Sequence, residues 1–265
     1  MAQRVPSTAQ PSRARRIGFL VAAALVALLA GIAAYGLPAL VLPLTYSGDR
    51  VIHRVHDLGH GVLMGGLITV ALLSQLRHPE RKIAAMQQFA LAVGAFVLAL
   101  LVTLSLNPFV VVFVLIVALL GFLHPARHAL LRSPGKPDAA MLAIVAGGAI
   151  PLAWYAVAQA VLQLTSDAGN PHAEEFHYAS MSALAVGLVL VGGLAAFRTQ
   201  GWRVPAWCAG LGTIWIGLAS VVFPHYEGSF GVVGGLVAVV GGVGYLVVAR
   251  PWQADLPGRK QQRVV

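Results

Sequence analysis

Histidine and carboxylate residues recur together in three short stretches: His53, His56, Asp57 and His60; His172, Glu174, Glu175 and His177; His225 and Glu227. Neutral imidazole is a metal ligand at pH 7, and carboxylates bind beside it or orient it from behind. Imidazole with carboxylate suits Zn, Cu or non-haem Fe. If residues 53–60 are helical, steps of about 100° put His53, His56, Asp57 and His60 within roughly a 100° arc. His56 and His60 are an i,i+4 pair, the spacing at which two imidazoles on one helix share an ion. His177 and His225 bring further nitrogens from other segments. The expected ligand set is therefore His56, His60, His177 and His225, with Asp57 or Glu174 as general base on a metal-bound water.

Two considerations oppose this reading. The positive N-terminal ends of the helices that start near His53 and Pro171 disfavour a cation, so carboxylates must offset them. Outer-loop histidines and acids also occur as solvated residues, and first-turn capping alone accounts for Glu174 and Glu175. Against that, ionisable residues at the depth of a membrane span are costly and point to function.

The elements that must position these residues are membrane helices. The chain has 265 residues, 58% hydrophobic and only 10% charged, and several apolar runs reach the length needed to cross a bilayer. A net charge of +9 raises the question of nucleic acid, but the basic residues lie in short segments between apolar runs, which is the pattern of membrane orientation. One cysteine, Cys208, excludes a disulfide framework and a Cys-based metal site.

The fold class expected is all-α: a polytopic membrane bundle of about eight transmembrane helices, near residues 17–36, 54–76, 83–106, 109–123, 139–164, 171–197, 204–223 and 228–249. Asn107-Pro108 splits one apolar run into two helices, and Asn170-Pro171 is a helix start with Asn as cap. Residues 1–16 form a basic, disordered leader, 17–250 the bundle, and 251–265 a basic tail. The apolar part of the leader is longer than a signal-peptide core, so the first helix is expected to be retained. With both termini cytoplasmic, all Lys and Arg except Arg50 and Arg54 fall on the cytoplasmic side, and the three His/acid stretches fall outside. His60 and Pro108 are spaced like His177 and Pro224, and Arg81 and Arg198 fall in register. This suggests a parallel four-plus-four repeat, with halves 17–136 and 137–250.

In residue type, Asp57, His60, His177, His225 and Ser180 are similar to the Ser, Asp and three-His zinc set of the membrane hydrolases that include ceramidases. The eight spans and the spacings depart from that family's pattern, and no family is assigned. Pairing of His60 with His177 resembles the axial pairs of b-type haem proteins, although the second, inner-side pair is missing. Three readings follow. The first is a membrane protein of the cell membrane with an extracytoplasmic transition-metal site, either an enzyme on a lipid-soluble small molecule or a metal-handling protein. The second is a haem b electron carrier. The third is a cofactor-free transporter or complex subunit, to which Gln159 and Gln163 lend weight as intramembrane polar residues. The expected partner is the lipid bilayer, with no nucleic acid.

Overall fold

Long runs of Leu, Val, Ala and Gly leave a backbone away from water one local way to pair its N–H and C=O groups, and that is helix. The computed structural model describes residues 12–105, 108–131 and 135–252, and among these there is no strand. Seven helices are long and apolar enough to cross a bilayer. They are α1 (Arg13–Ala33), α2 (Gly48–Gln75), α3 (Ile83–Val102), α5 (Ala139–Thr165), α7 (His177–Ala196), α8 (Arg203–Val222) and α9 (Gly231–Ala249). Shorter helices include α4 (Pro108–Leu123), apolar throughout, and α6 (Pro171–Glu174). The eight expected spans thus resolve into seven long helices and the 16-residue α4, which rises about 24 Å against a hydrocarbon core of about 30 Å.

Three boundaries differ from the sequence reading. Helix α1 begins at Arg13, capped by Ser12, so Arg13, Arg15 and Arg16 belong to it rather than to the leader. Residues 1–11, the tail beyond 252, Asn107 of the tight turn, and 132–134 lie outside the described residues. Helix α2 is not uniform: a 3-10 segment (Gly48–His53) leads into α-helix (Arg54–His60), then π-helix (Gly61–Thr69), then α-helix again (Val70–Gln75). The helix expected over 171–197 is broken at Phe176, whose φ of 57° is left-handed.

The π-helical stretch of α2 is crossed at close range. Gly36 and Ala39, in the turn after α1, press against it so closely that a Cβ on Gly61 would stand 2.6 Å from the carbonyl carbon of Ala39, and one on Gly65 would stand 2.5 Å from the Gly36 oxygen. Only glycine admits that approach of backbone to backbone.

Helix α7 is the axis of the bundle. It packs on α2, α3, α5 and α8, and it and α2 are the most buried of the long helices. The outer helices turn large apolar side chains outward, among them Ile150 at 77% exposure and Trp154 at 78%. Such surfaces are suited to lipid contact and unsuited to water. At one end of the bundle, Arg15 donates to the His124 carbonyl at 2.7 Å, Arg16 pairs with Glu80, and Arg198 pairs with Asp138 at 2.7 Å. The Arg198 guanidinium holds the Asp138 carboxyl below its ordinary pKa. His124, expected in an interfacial loop, is fully buried there against the edge of Phe19, and burial lowers it to about 4. The other histidine stretches lie at the opposite end, where α2 and α7 begin.

The crossing of α2 over Gly36 yields the first prediction. Gly65→Ala must push two backbones apart and should cost about 1–3 kcal/mol, seen as a lower unfolding temperature in detergent. Gly94→Ala, whose Cβ meets nothing within 4 Å, should leave that temperature unchanged or slightly raised.

Candidate metal centre

The site is built where the 3-10 and first α-helical turns of α2 meet the broken junction of α6 and α7. Asn170 caps α6, accepting from the N–H groups of His172 (3.0 Å) and Ala173 (3.2 Å), with Pro171 at the first helical position. In an unbroken helix, His172 and His177 would be five residues apart and point roughly 140° away from each other. The left-handed Phe176 redirects the chain and turns the two rings together. Gln163 on α5 braces this break: its amide donates to the Ala173 carbonyl at 2.8 Å and accepts from the Ala179 N–H at 3.2 Å.

Four imidazoles converge. His177 Nδ1 stands 3.1 Å from His53 Nδ1 and 3.3 Å from His172 Nδ1. One nitrogen from each of His53, His172 and His177 lies within 4.8 Å of the others, with His172 and His177 buried and His53 half-buried. Two nitrogens bound at 2.0–2.1 Å to one tetrahedral Zn stand roughly 3.3–3.4 Å apart, so two edges of the triad already have about that length. The His56 ring stacks on His177 with centroids 5.4 Å apart and lies 4.5 Å from His172. It is 1% exposed, and neither of its nitrogens has a hydrogen-bond partner among the described residues. Gly228, at φ 81°, backs this ring so closely that a Cβ there would sit 3.1 Å from Nε2.

The outward nitrogens of the triad face carboxylates. His177 Nε2 lies 3.3 Å from Glu175 and 3.5 Å from Asp57; His172 Nε2 lies 3.6 Å from Glu227. Two phenols hold these acids in turn: Tyr46 donates to Asp57 at 2.6 Å and Tyr178 to Glu227 at 2.6 Å. Burial, then the bond to Asp57, raises the Tyr46 phenol well above its ordinary pKa, so it remains a donor at any physiological pH. Burial lowers His172, with Glu227 opposing, so its ring is held in the neutral, ligating form. Arg54 fixes the turn that carries Tyr46: it donates to the carbonyls of Pro43 and Tyr46, and its guanidinium covers the Phe223 ring at 4.6 Å. Three acids around the triad supply the negative charge that the helix N-termini demand.

The residues singled out from the sequence divide as follows. His56 and His177 lie in the cluster, and Asp57 borders it. His60 points elsewhere, with Nε2 2.9 Å from the Ala34 carbonyl oxygen, although it shares with Asp57 and His177 a cavity of about 370 Å³. His225 is exposed on the turn before α9, two residues from Glu227. Glu174 is exposed, and its neighbour Glu175 brings the carboxylate to His177. His53 and His172 complete the triad without having been in the expected ligand set. His172 follows the Asn-Pro helix start, a legible signal, but its meeting with His177 depends on the break at Phe176, which has none. A larger, almost wholly apolar cleft of about 650 Å³ lies between α5, α8 and α9. One of its lining residues, Tyr155, donates its hydroxyl at 2.7 Å to the carbonyl of Gly228, the residue that backs the His56 ring.

No family model, no curated protein and no solved structure matches this chain. The site is therefore interpreted on its own chemistry. A buried His triad with these separations is compatible with a transition metal.

His56 provides a direct check of that interpretation. A buried imidazole with two unpaired nitrogens is a desolvation cost that an apolar ring of like shape avoids. In metal-stripped protein, His56→Phe should leave the unfolding temperature unchanged or raise it. A loss of several degrees would show that the ring is satisfied within the protein itself.

Proposed function

We propose that this chain is a multi-pass protein of the cell membrane that holds one transition metal ion, Zn, Cu or Fe, at its extracytoplasmic face through His53, His172 and His177. The observation that carries this reading is the two-sided use of the rings. His172 and His177 each turn Nδ1 toward a common point and Nε2 toward a carboxylate. Metal-bound histidines characteristically donate their second N–H to a carboxylate in this way, which fixes the tautomer and raises ligand basicity. A zinc ion held by these three nitrogens would have fewer protein ligands than structural zinc sites have and could polarise a bound water or substrate.

The orientation rests on charge. Arg15, Arg16, Arg81 and Arg198 gather at the end of the bundle opposite the triad, and that end is assigned to the cytoplasm. With α4 as an eighth crossing, aided by local thinning of the bilayer, both termini lie on the cytoplasmic side. The parallel four-plus-four arrangement accords with this assignment. The geometry favours a bare ion over haem: His60 Nε2 is engaged by Ala34, and the His177 nitrogens face His53, His172 and two acids.

Elemental analysis of protein purified in detergent tests the assignment. About one equivalent of Zn, Cu or Fe per chain is expected, lost in His172→Ala and in His177→Ala. Glu227→Gln should keep the metal but weaken its affinity roughly 10–100-fold, as loss of an orienting carboxylate does. Intact protein that holds no stoichiometric metal after loading with each of the three ions rejects the reading.

A further inference from the structure

The cavity of about 370 Å³ beside the triad has one polar end and one apolar end. Asp57, His60, Glu175, His177 and Ser180, from α2, α7 and the junction before α7, line the first; Phe96, Leu100, Phe109 and Phe113, from α3 and α4, line the second. Its size is that of a small-molecule site.

The polar end is rich in acceptors. A carbonyl oxygen only accepts, so the 2.9 Å contact to Ala34 places the His60 proton on Nε2 and leaves Nδ1 with a free lone pair. Asp57 takes the Tyr46 hydroxyl on Oδ2 and faces His177 with Oδ1, but an ionised carboxylate has about four acceptor positions. Glu175 adds a second carboxylate. The complementary head group is a hydrogen-bond donor, and the carboxylates disfavour an anion. At the other end, Phe96, Phe109 and Phe113 suit a flat ring. Phe96 and Phe113 are already packed edge-to-face at 5.5 Å.

The way in is through apolar surface. Along the α3 and α4 wall, exposure rises from 1% at Leu100 to 63% at Phe109, and the neighbouring α4 residues Val111 and Val112 are exposed as well. A molecule entering there passes apolar side chains before it meets Asp57, while Glu175, with its side chain 62% exposed, lies at the surface on the polar side.

We propose that this cavity binds a neutral, membrane-soluble molecule with a ring-sized apolar body and a hydroxyl head, a phenol or an aromatic alcohol. The apolar body lies between α3 and α4. The hydroxyl donates to the acceptors around Asp57 and His60, on the side of His177 that faces the carboxylates. The inference rests on the metal reading for its chemical purpose but not for its binding determinants, which are protein groups.

The test uses full-length, metal-loaded protein in lipid nanodiscs and equilibrium dialysis of 2-naphthol, corrected with empty nanodiscs. A saturable component near one per chain is expected. 2-Methoxynaphthalene, which keeps the ring and loses the donor, should bind roughly tenfold or more weakly. Phe113→Trp and Ser180→Val, which fill the cavity from different helices, should each abolish the saturable component while the metal content of the same samples stays unchanged. Retained metal also reports that each variant is folded. Absence of saturable binding, or equal binding of the methyl ether, overturns the proposal whatever the metal content. Discrimination between the two probes by protein that never takes up metal upholds the cavity assignment and removes the metal reading.

Discussion

The contact on which this structure turns is the packing of the first turns of α2 against the start of α7. These are the two most buried long helices, and each brings imidazoles to the same end of the bundle. Apolar residues of both helices close the interior beneath the cluster: Leu58 and Leu63 from α2, Met181 and Leu184 from α7, all at or below 1% exposure. Dispersion and close packing, rather than any affinity among neutral imidazoles, therefore bring the rings together. Four such rings in a space poor in water is an unfavourable arrangement unless their nitrogens find partners. Some find each other, some find carboxylates, and those of His56 find no hydrogen-bond partner among the described residues.

Around that core the polar groups form a layered support. Phenols hold the acids, acids face the outward nitrogens, and Arg54 and Gln163 fix the backbone segments from which these groups project. The layers draw on α2, α5, α7, the junction before α7 and the segments that carry Tyr46 and Glu227, so the site is a product of one whole end of the bundle rather than of a local motif. This is consistent with its absence from any short sequence signature.

What could be read in advance follows from the range of the physics involved. Helix number and position depend on local hydropathy, and the apolar runs that bound α3, α5, α8 and α9 are evident in the sequence. The Asn170 cap is equally local and reads directly from Asn-Pro. The cluster itself depends on backbone irregularities that composition does not announce. One is the left-handed Phe176, a bulky residue in a conformation that glycine or asparagine would ordinarily mark. The other is the 3-10 segment Gly48–His53 that opens α2 and carries His53. Uniform 3.6-residue periodicity made His56 and His60 a natural chelating pair. In the structure they diverge, His56 toward the other imidazoles and His60 toward Ala34. The importance of His172 and His53 was hidden for the same reason: neighbours in space came from junctions, not from periodic faces.

The π-helical stretch of α2 carries a consequence of its own. Each wide turn stores more residues per unit of rise than an α-helix does, and Gly61–Thr69 is wound this way throughout. Loss of one residue there would let the helix tighten without altering its hydropathy. The segment bearing His53, His56 and Asp57 would then turn about the axis relative to Leu72 and Gln75 by the difference between the two windings of the stretch. All the side chains would survive such a deletion, yet they would face a different neighbour. For this chain, then, the spacing count between Gly61 and Thr69 is as much a determinant of the site as the histidines themselves, and a related chain with every histidine in place but one residue fewer would be a bundle of the same outline with a different interior.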